Sequence, residues 1–163
     1  MAIIKPNNNT ISAITALPAS ITTGKVLQVV TFTSDTEETT TSTSFVGSAK
    51  RLSITPSSTS NKILIIYSGA SAHNNANSHC EYTLYRETTS TNLGNSNDGI
   101  NQIYNAGGLG YNTLSMTYLD APSTSSSVEY RVYFRPNASG TTATLGRGTA
   151  RSILTLMEIA GWL

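Results

Sequence analysis

Charge is scarce in this chain. Asp, Glu, Lys and Arg make up 12% of its 163 residues, ten basic against nine acidic, for a net charge of +1. No stretch concentrates Lys and Arg, so the electrostatic footprint that nucleic acid or an anionic membrane surface requires is missing. Cysteine is nearly absent: with Cys80 alone, neither an intramolecular disulfide nor a cysteine zinc cluster can form. Long apolar runs are lacking too. The longest, Ile63-Leu64-Ile65-Ile66 with Tyr67, falls far short of the roughly 18 residues that cross a bilayer. Pro6-Asn7-Asn8-Asn9 stands where a secretory leader would place its apolar segment, so a non-secreted chain is expected.

What fills the space is hydroxyl and amide. The chain holds 22 Ser, 25 Thr and 14 Asn, so 61 of 163 residues are small and polar. Disorder does not follow, because 38% apolar content with 8 Tyr, 3 Phe and 1 Trp is enough to build a core. The length suits one domain.

Residues 1–24 differ from the rest. They carry one charged side chain, Lys5, and six large aliphatics, Ile3, Ile4, Ile11, Ile14, Leu17 and Ile21. Exposed aliphatics need a surface to cover them; a frayed terminus is the alternative. Extended at about 3.3 Å per residue, the segment reaches roughly 80 Å, enough to cross a neighbouring subunit. The expectation is an anchoring arm, with two helical turns as an option between Thr10 and Leu17.

From residue 25 onward, runs rich in β-branched and aromatic residues are separated by Ser, Thr, Asn, Gly and Pro clusters, the pattern of strands and turns. The runs are 26–33, 45–46, 51–55, 62–68, 79–86, 100–104, 113–119, 127–135, 141–145 and 152–160, with a polar linker at 34–44. Two of them alternate cleanly. Leu114, Met116 and Tyr118 oppose Thr113, Ser115 and Thr117; Val128, Tyr130, Val132 and Phe134 oppose Glu129, Arg131, Tyr133 and Arg135, as in half-buried antiparallel strands. The run at 62–68 does not alternate, which predicts a central strand covered on both faces. The whole predicts an all-β antiparallel sandwich or jelly roll over 25–163.

The order of these runs, with one apolar central strand and a last apolar strand near the C-terminus, resembles the jelly roll of the C1q and tumour-necrosis-factor superfamily. That resemblance implies a homotrimer with the last strand near the threefold axis, where Leu154, Leu156, Ile159, Trp162 and Leu163 form the interface. The alternative is that this strand lies in the core of the monomer. At a finer level, MAIIKPNNNT followed by TGKVLQVV, the SFVG and LSITPSSTSNKILI segments, YLDAPSTSSSVEYRV at 118–132 and SILTLMEIA are similar to small structural proteins of tailed bacteriophages, marine ones above all. The similarity implies a virion protein of head-decoration, head-fibre or tail-fibre type.

No catalytic constellation is readable. Neither a G-x-S-x-G elbow nor a G-x-x-x-x-G-K loop occurs, and the glycine cluster at 106–110 leads into a strand, not a helix. His73, His79 and Cys80 are the one grouping of His and Cys, and alternation puts His79 and Cys80 on opposite faces; no metal and no cofactor is expected. NSNDG at 95–99 lacks the carboxylate positions of a calcium loop and reads as a turn. Glu81, Glu87, Asp98, Asp120, Glu129 and Glu158 show no pairing for glycoside hydrolysis that sequence can reveal. Glu129, Arg131 and Arg135 share a strand face, as a solvated face or a cross-strand charge pair, with an intersubunit salt bridge as the alternative.

The expected function is non-enzymatic: a trimeric capsid decoration or cement protein of the virion, assembled in the host cytoplasm. The arm docks it on the major capsid protein or another virion protein, and binding the assembled lattice alone stabilises that lattice by mass action. The alternative is a head or tail fibre or receptor-binding module that meets host-surface glycans through loops 69–79, 87–98 and 105–112, whose Asn, Ser, Gly and Tyr suit hydrogen bonding and stacking on sugars.

Overall fold

The computed structural model describes residues 25–161, so the expected arm, with Ile3, Ile4, Ile11, Ile14, Leu17 and Ile21, lies outside the described residues, as do Trp162 and Leu163. Eleven strands follow in chain order: β1 (Val26–Ser34), β2 (Glu38–Thr40), β3 (Val46–Ile54), β4 (Lys62–His73), β5 (Ser78–Arg86), β6 (Thr91–Asn92), β7 (Asn101–Asn105), β8 (Gly110–Asp120), β9 (Val128–Pro136), β10 (Ala143–Leu145) and β11 (Ser152–Ile159). A 3-10 turn, Glu87–Thr89, follows β5.

The strands form two antiparallel sheets. The first runs β1-β11-β4-β10-β2 with β8 paired to β4; the second runs β3-β9-β5-β6 with β7 paired to β5. The length of β4 makes the first sheet possible, because its lower part pairs with β11 and Ser71–His73 with β10, while β8 lies along its other edge. Every link among β1, β3, β4, β5, β7, β8, β9 and β11 crosses between sheets except that from β5 to β7. This is the strand order of a jelly roll, as the sequence predicts.

Alternation turns one face of each sheet inward. Ile63, Ile65, Leu114, Met116, Leu154 and Leu156 of the first sheet meet Leu84, Val128, Val132 and Phe134 of the second in one core. Three tyrosines join them, and each buried hydroxyl has a partner. Tyr67 donates to Ser152 Oγ at 3.1 Å, Tyr82 to the Thr144 carbonyl at 3.2 Å and Tyr130 to Asp120 Oδ2 at 2.7 Å.

Three elements depart from the sequence expectation. β2 forms inside the expected polar linker because it pairs with β10, a partner remote in sequence. Its Glu38 carboxylate takes the Lys50 ammonium at 2.6 Å and the Ala49 N–H at 2.6 Å. β3 is one strand with an irregularity between Gly47 and Arg51, not two short segments. Polar groups hold it: Ser48 Oγ donates to the Val132 carbonyl at 2.9 Å, and the buried Lys50 also reaches the Thr36 carbonyl at 2.8 Å. β4 continues past Ser68 to His73 because β8 pairs with it there, from Leu114 back to Gly110.

Near the end of β11 a buried carboxylate ties three segments together. Glu158 accepts from Gln28 Nε2 at 2.6 Å, Ser57 N at 2.6 Å, Ser57 Oγ at 2.8 Å and Asn61 Nδ2 at 2.5 Å. Burial works to raise its pKa, but the hydrogen bonds from Asn61, Gln28 and Ser57 outweigh it and hold the carboxyl below its ordinary value.

Candidate functional site

The first sheet has a second face, pointing away from the core. On it Val29 stands opposite Met157, Met157 opposite Leu64 and Leu64 opposite Leu119, an unbroken apolar row across β1, β11, β4 and β8. The next row is Thr31, Thr155, Ile66 and Thr117, and the one after it Thr33, Ile153, Ser68 and Ser115. Below the apolar row, Leu27 and Ile159 extend it beside an irregularity between Val26 and Gln28. None of these side chains is charged; Lys62, opposite Ile159, stands at their border. Val26, Leu27, Val29 and Leu119 are 52%, 47%, 52% and 50% exposed, while Leu64, Ile66, Met157 and Ile159 are half-buried.

The lack of alternation at 62–68 thereby gains a meaning. Ile63, Ile65 and Tyr67 enter the core, whereas Leu64 and Ile66 point to the other side. Two faces were expected to be covered, and among the described residues a second sheet covers only one.

The outer face of the second sheet is unlike this one. Arg51 pairs with Glu129 at 3.6 Å, Arg131 with Glu87 at 3.9 Å and Arg135 with Glu81 at 3.0 Å. Arg131 also donates to the Gly47 carbonyl at 3.0 Å, and Arg135 lies 4.5 Å over the Phe45 ring. Tyr85 stacks on Tyr133 at 4.0 Å, where burial, then the Glu87 carboxylate, push the Tyr133 phenol up to about 12. The charged row that sequence put on one face of β9 thus finds its partners within the chain.

β11 corrects the expected interface. Leu154 and Leu156 point inward and are 0% exposed in the core, whereas Ile159 points outward. Residues of even and odd number on one regular strand lie on opposite faces, so these three cannot form one interface. The outward residues of β11 are Ile153, Thr155, Met157 and Ile159. Sequence reasoning missed Val26, Leu27, Val29, Leu64, Ile66, Leu119 and Met157. One signal was there: Leu119 sits in step with Thr113, Ser115 and Thr117, an apolar residue on the polar side of its strand.

The other candidates lie apart from this face. His79 faces outward against Tyr104, with ring centroids 4.9 Å apart, while Cys80 enters the core, where burial, then the Glu81 charge, push its thiol up to about 12. His73 is buried, and neither ring nitrogen has a partner among the described residues; burial, then the neighbouring His79, lower its pKa. The 95–99 segment is a turn in which Asn95 and Gly99 exchange backbone hydrogen bonds at 3.0 Å each. Gly99 adopts φ +71°, in the left-handed region that favours glycine. Asp98 accepts from Gln102 Nε2 at 3.5 Å, and Asp120 is paired with Arg86 at 3.1 Å. The chain matches no protein-family model, no curated protein and no solved structure.

Proposed function

We propose that this protein is a non-enzymatic structural protein of a bacteriophage virion, a homotrimer that buries the outer face of its first sheet between copies and anchors on the major capsid protein through residues 1–24. One observation carries the reading: the uncharged row Val29, Met157, Leu64 and Leu119 is continuous across four strands, while the opposite outer face is charged and paired within the chain. Contiguous apolar area on a protein surface marks an interface, and a rotation that closes on itself lets identical chains cover it. The jelly-roll order agrees with a resemblance that implies a trimer with the last strand near the axis. Met157 and Ile159 are that strand's contribution, in place of Leu154 and Leu156.

Burial of this face favours association by about 25 cal/mol per Å² before ordering costs are subtracted. On the particle, a trimer that binds only the assembled lattice stabilises it by the binding free energy. Deletion of residues 2–24 separates the two surfaces. The truncated chain is expected to remain a folded trimer and to lose co-sedimentation with capsids. Normal occupancy on capsids would contradict the anchor, and dissociation on truncation would contradict a trimer held by the sheet face.

A further inference from the structure

A half-open cleft of about 190 Å³ lies where the end of β5, the Glu87–Thr89 turn and the β8–β9 connection meet. Arg86, Thr88, Thr89, Pro122, Thr124, Ser126 and Ser127 line it over the buried Val128, and the surface they present is mostly apolar with a few polar atoms. Arg86 is set in place by the chain itself. Its Nε donates to Thr89 Oγ1 at 3.0 Å and its Nη1 to Asp120 Oδ2 at 3.1 Å. Asp120 is in turn held by the Tyr130 hydroxyl at 2.7 Å and is 6% exposed. Nη2 of Arg86 has no partner among the described residues, nor do the hydroxyls of Thr88, Ser126 and Ser127.

We propose that this cleft is a saccharide site that takes one neutral sugar ring. Charge selects the ligand class. Asp120 already neutralises Arg86, so a phosphate or carboxylate gains little net attraction and meets the Asp120 charge at close range. A neutral polyol needs donors and acceptors together, and a preset guanidinium edge beside rotatable hydroxyls supplies both. Pro122, half-buried at the cleft, suits the apolar C–H face of a ring. The volume exceeds the roughly 150 Å³ of a cavity that holds one benzene, room for one ring with the rest of a glycan in solvent. The outward apolar row of the first sheet contributes none of the lining, so the site stands or falls independently of the trimer.

Amide NMR titration of the full chain with methyl glycosides of glucose, galactose and mannose, and with inorganic phosphate and glucuronate as anionic controls, tests the proposal. Saturable shifts at Thr88, Thr89, Thr124, Ser126 and Ser127 are expected with at least one glycoside, and weaker binding of both anions. Ser126→Trp, at an exposed loop position, fills the cleft and is expected to weaken that glycoside by about tenfold with the melting temperature unchanged. Arg86→Lys keeps the charge opposite Asp120, removes the Nη2 donor and is expected to weaken it as well. Absence of saturation with all three glycosides, tighter binding of phosphate or glucuronate, or unaltered affinity in Ser126→Trp would overturn the assignment.

Discussion

The first sheet turns Val29, Met157, Leu64 and Leu119 outward in one row, and the second turns Arg51, Glu129, Arg131 and Arg135 outward with each charge paired. Both faces arise from the same alternation about one core, so the difference lies in what each surface still requires. The second face draws its pairing from within the chain: its guanidinium groups reach carboxylates, backbone carbonyls and aromatic rings of the same chain. The first face has no paired charge, only hydroxyls and an apolar row whose exposure to water is unfavourable. A chain with so little charge has paired six of its charged side chains on the second face.

The largest expected effect comes from spoiling the first face. Leu64→Asp combined with Met157→Asp places two carboxylates in the apolar row and is expected to reduce the sedimenting mass threefold, from trimer to monomer, with the strand signature in circular dichroism retained. An unchanged mass would remove the distinction between the faces.

Parity on β11 gives the next contrast. Leu156→Ala opens a cavity in the core and is expected to cost about 2–5 kcal/mol in denaturant unfolding. Thr155→Ala, one residue away on the outer side, is expected to stay within about 0.5 kcal/mol. Similar costs for the two would contradict the assigned register.

Acid acts on two groups of the interior. An unfolded chain protonates His73 near its ordinary value of 6.5, whereas burial lowers the folded value, so the unfolded state binds more protons between the two. Stability is therefore expected to fall as pH drops through 6.5 toward the folded value, and His73→Phe to remove that step. Glu158 works the same way at lower pH: its stabilisation is present above 4.5 and is lost as pH falls through its depressed folded value. Urea midpoints measured from neutral to acid pH check both steps. The smallest effect belongs to the second face, where Arg51 is exposed. Arg51→Ala is expected to change stability by less than about 1 kcal/mol and to leave the sedimenting mass unaltered.

Most of the fold was legible because its strands carry their own period. Leu114, Met116 and Val128 to Phe134 alternate plainly, and both β8 and β9 lie where expected. β2 and the Gly47–Lys50 part of β3 were not legible, since their pairing rests on a buried Lys50–Glu38 contact and on partners distant along the chain. The outer face was half legible. The run Ile63 to Ile66 announced a strand with two apolar sides, but β11 misled, because Glu158 shares the inward parity of Leu154 and Leu156 and is satisfied there by uncharged donors. The cleft at Arg86 was hidden, as it joins a turn to a loop through a contact between Arg86 and Asp120 that no local pattern reports.

Sedimentation equilibrium of the full chain in dilute solution bears most directly on the outer face of the first sheet. Three times the chain mass of 17.3 kDa is expected; a single chain mass at every concentration would show that Val29, Met157, Leu64 and Leu119 are not covered by copies of this protein.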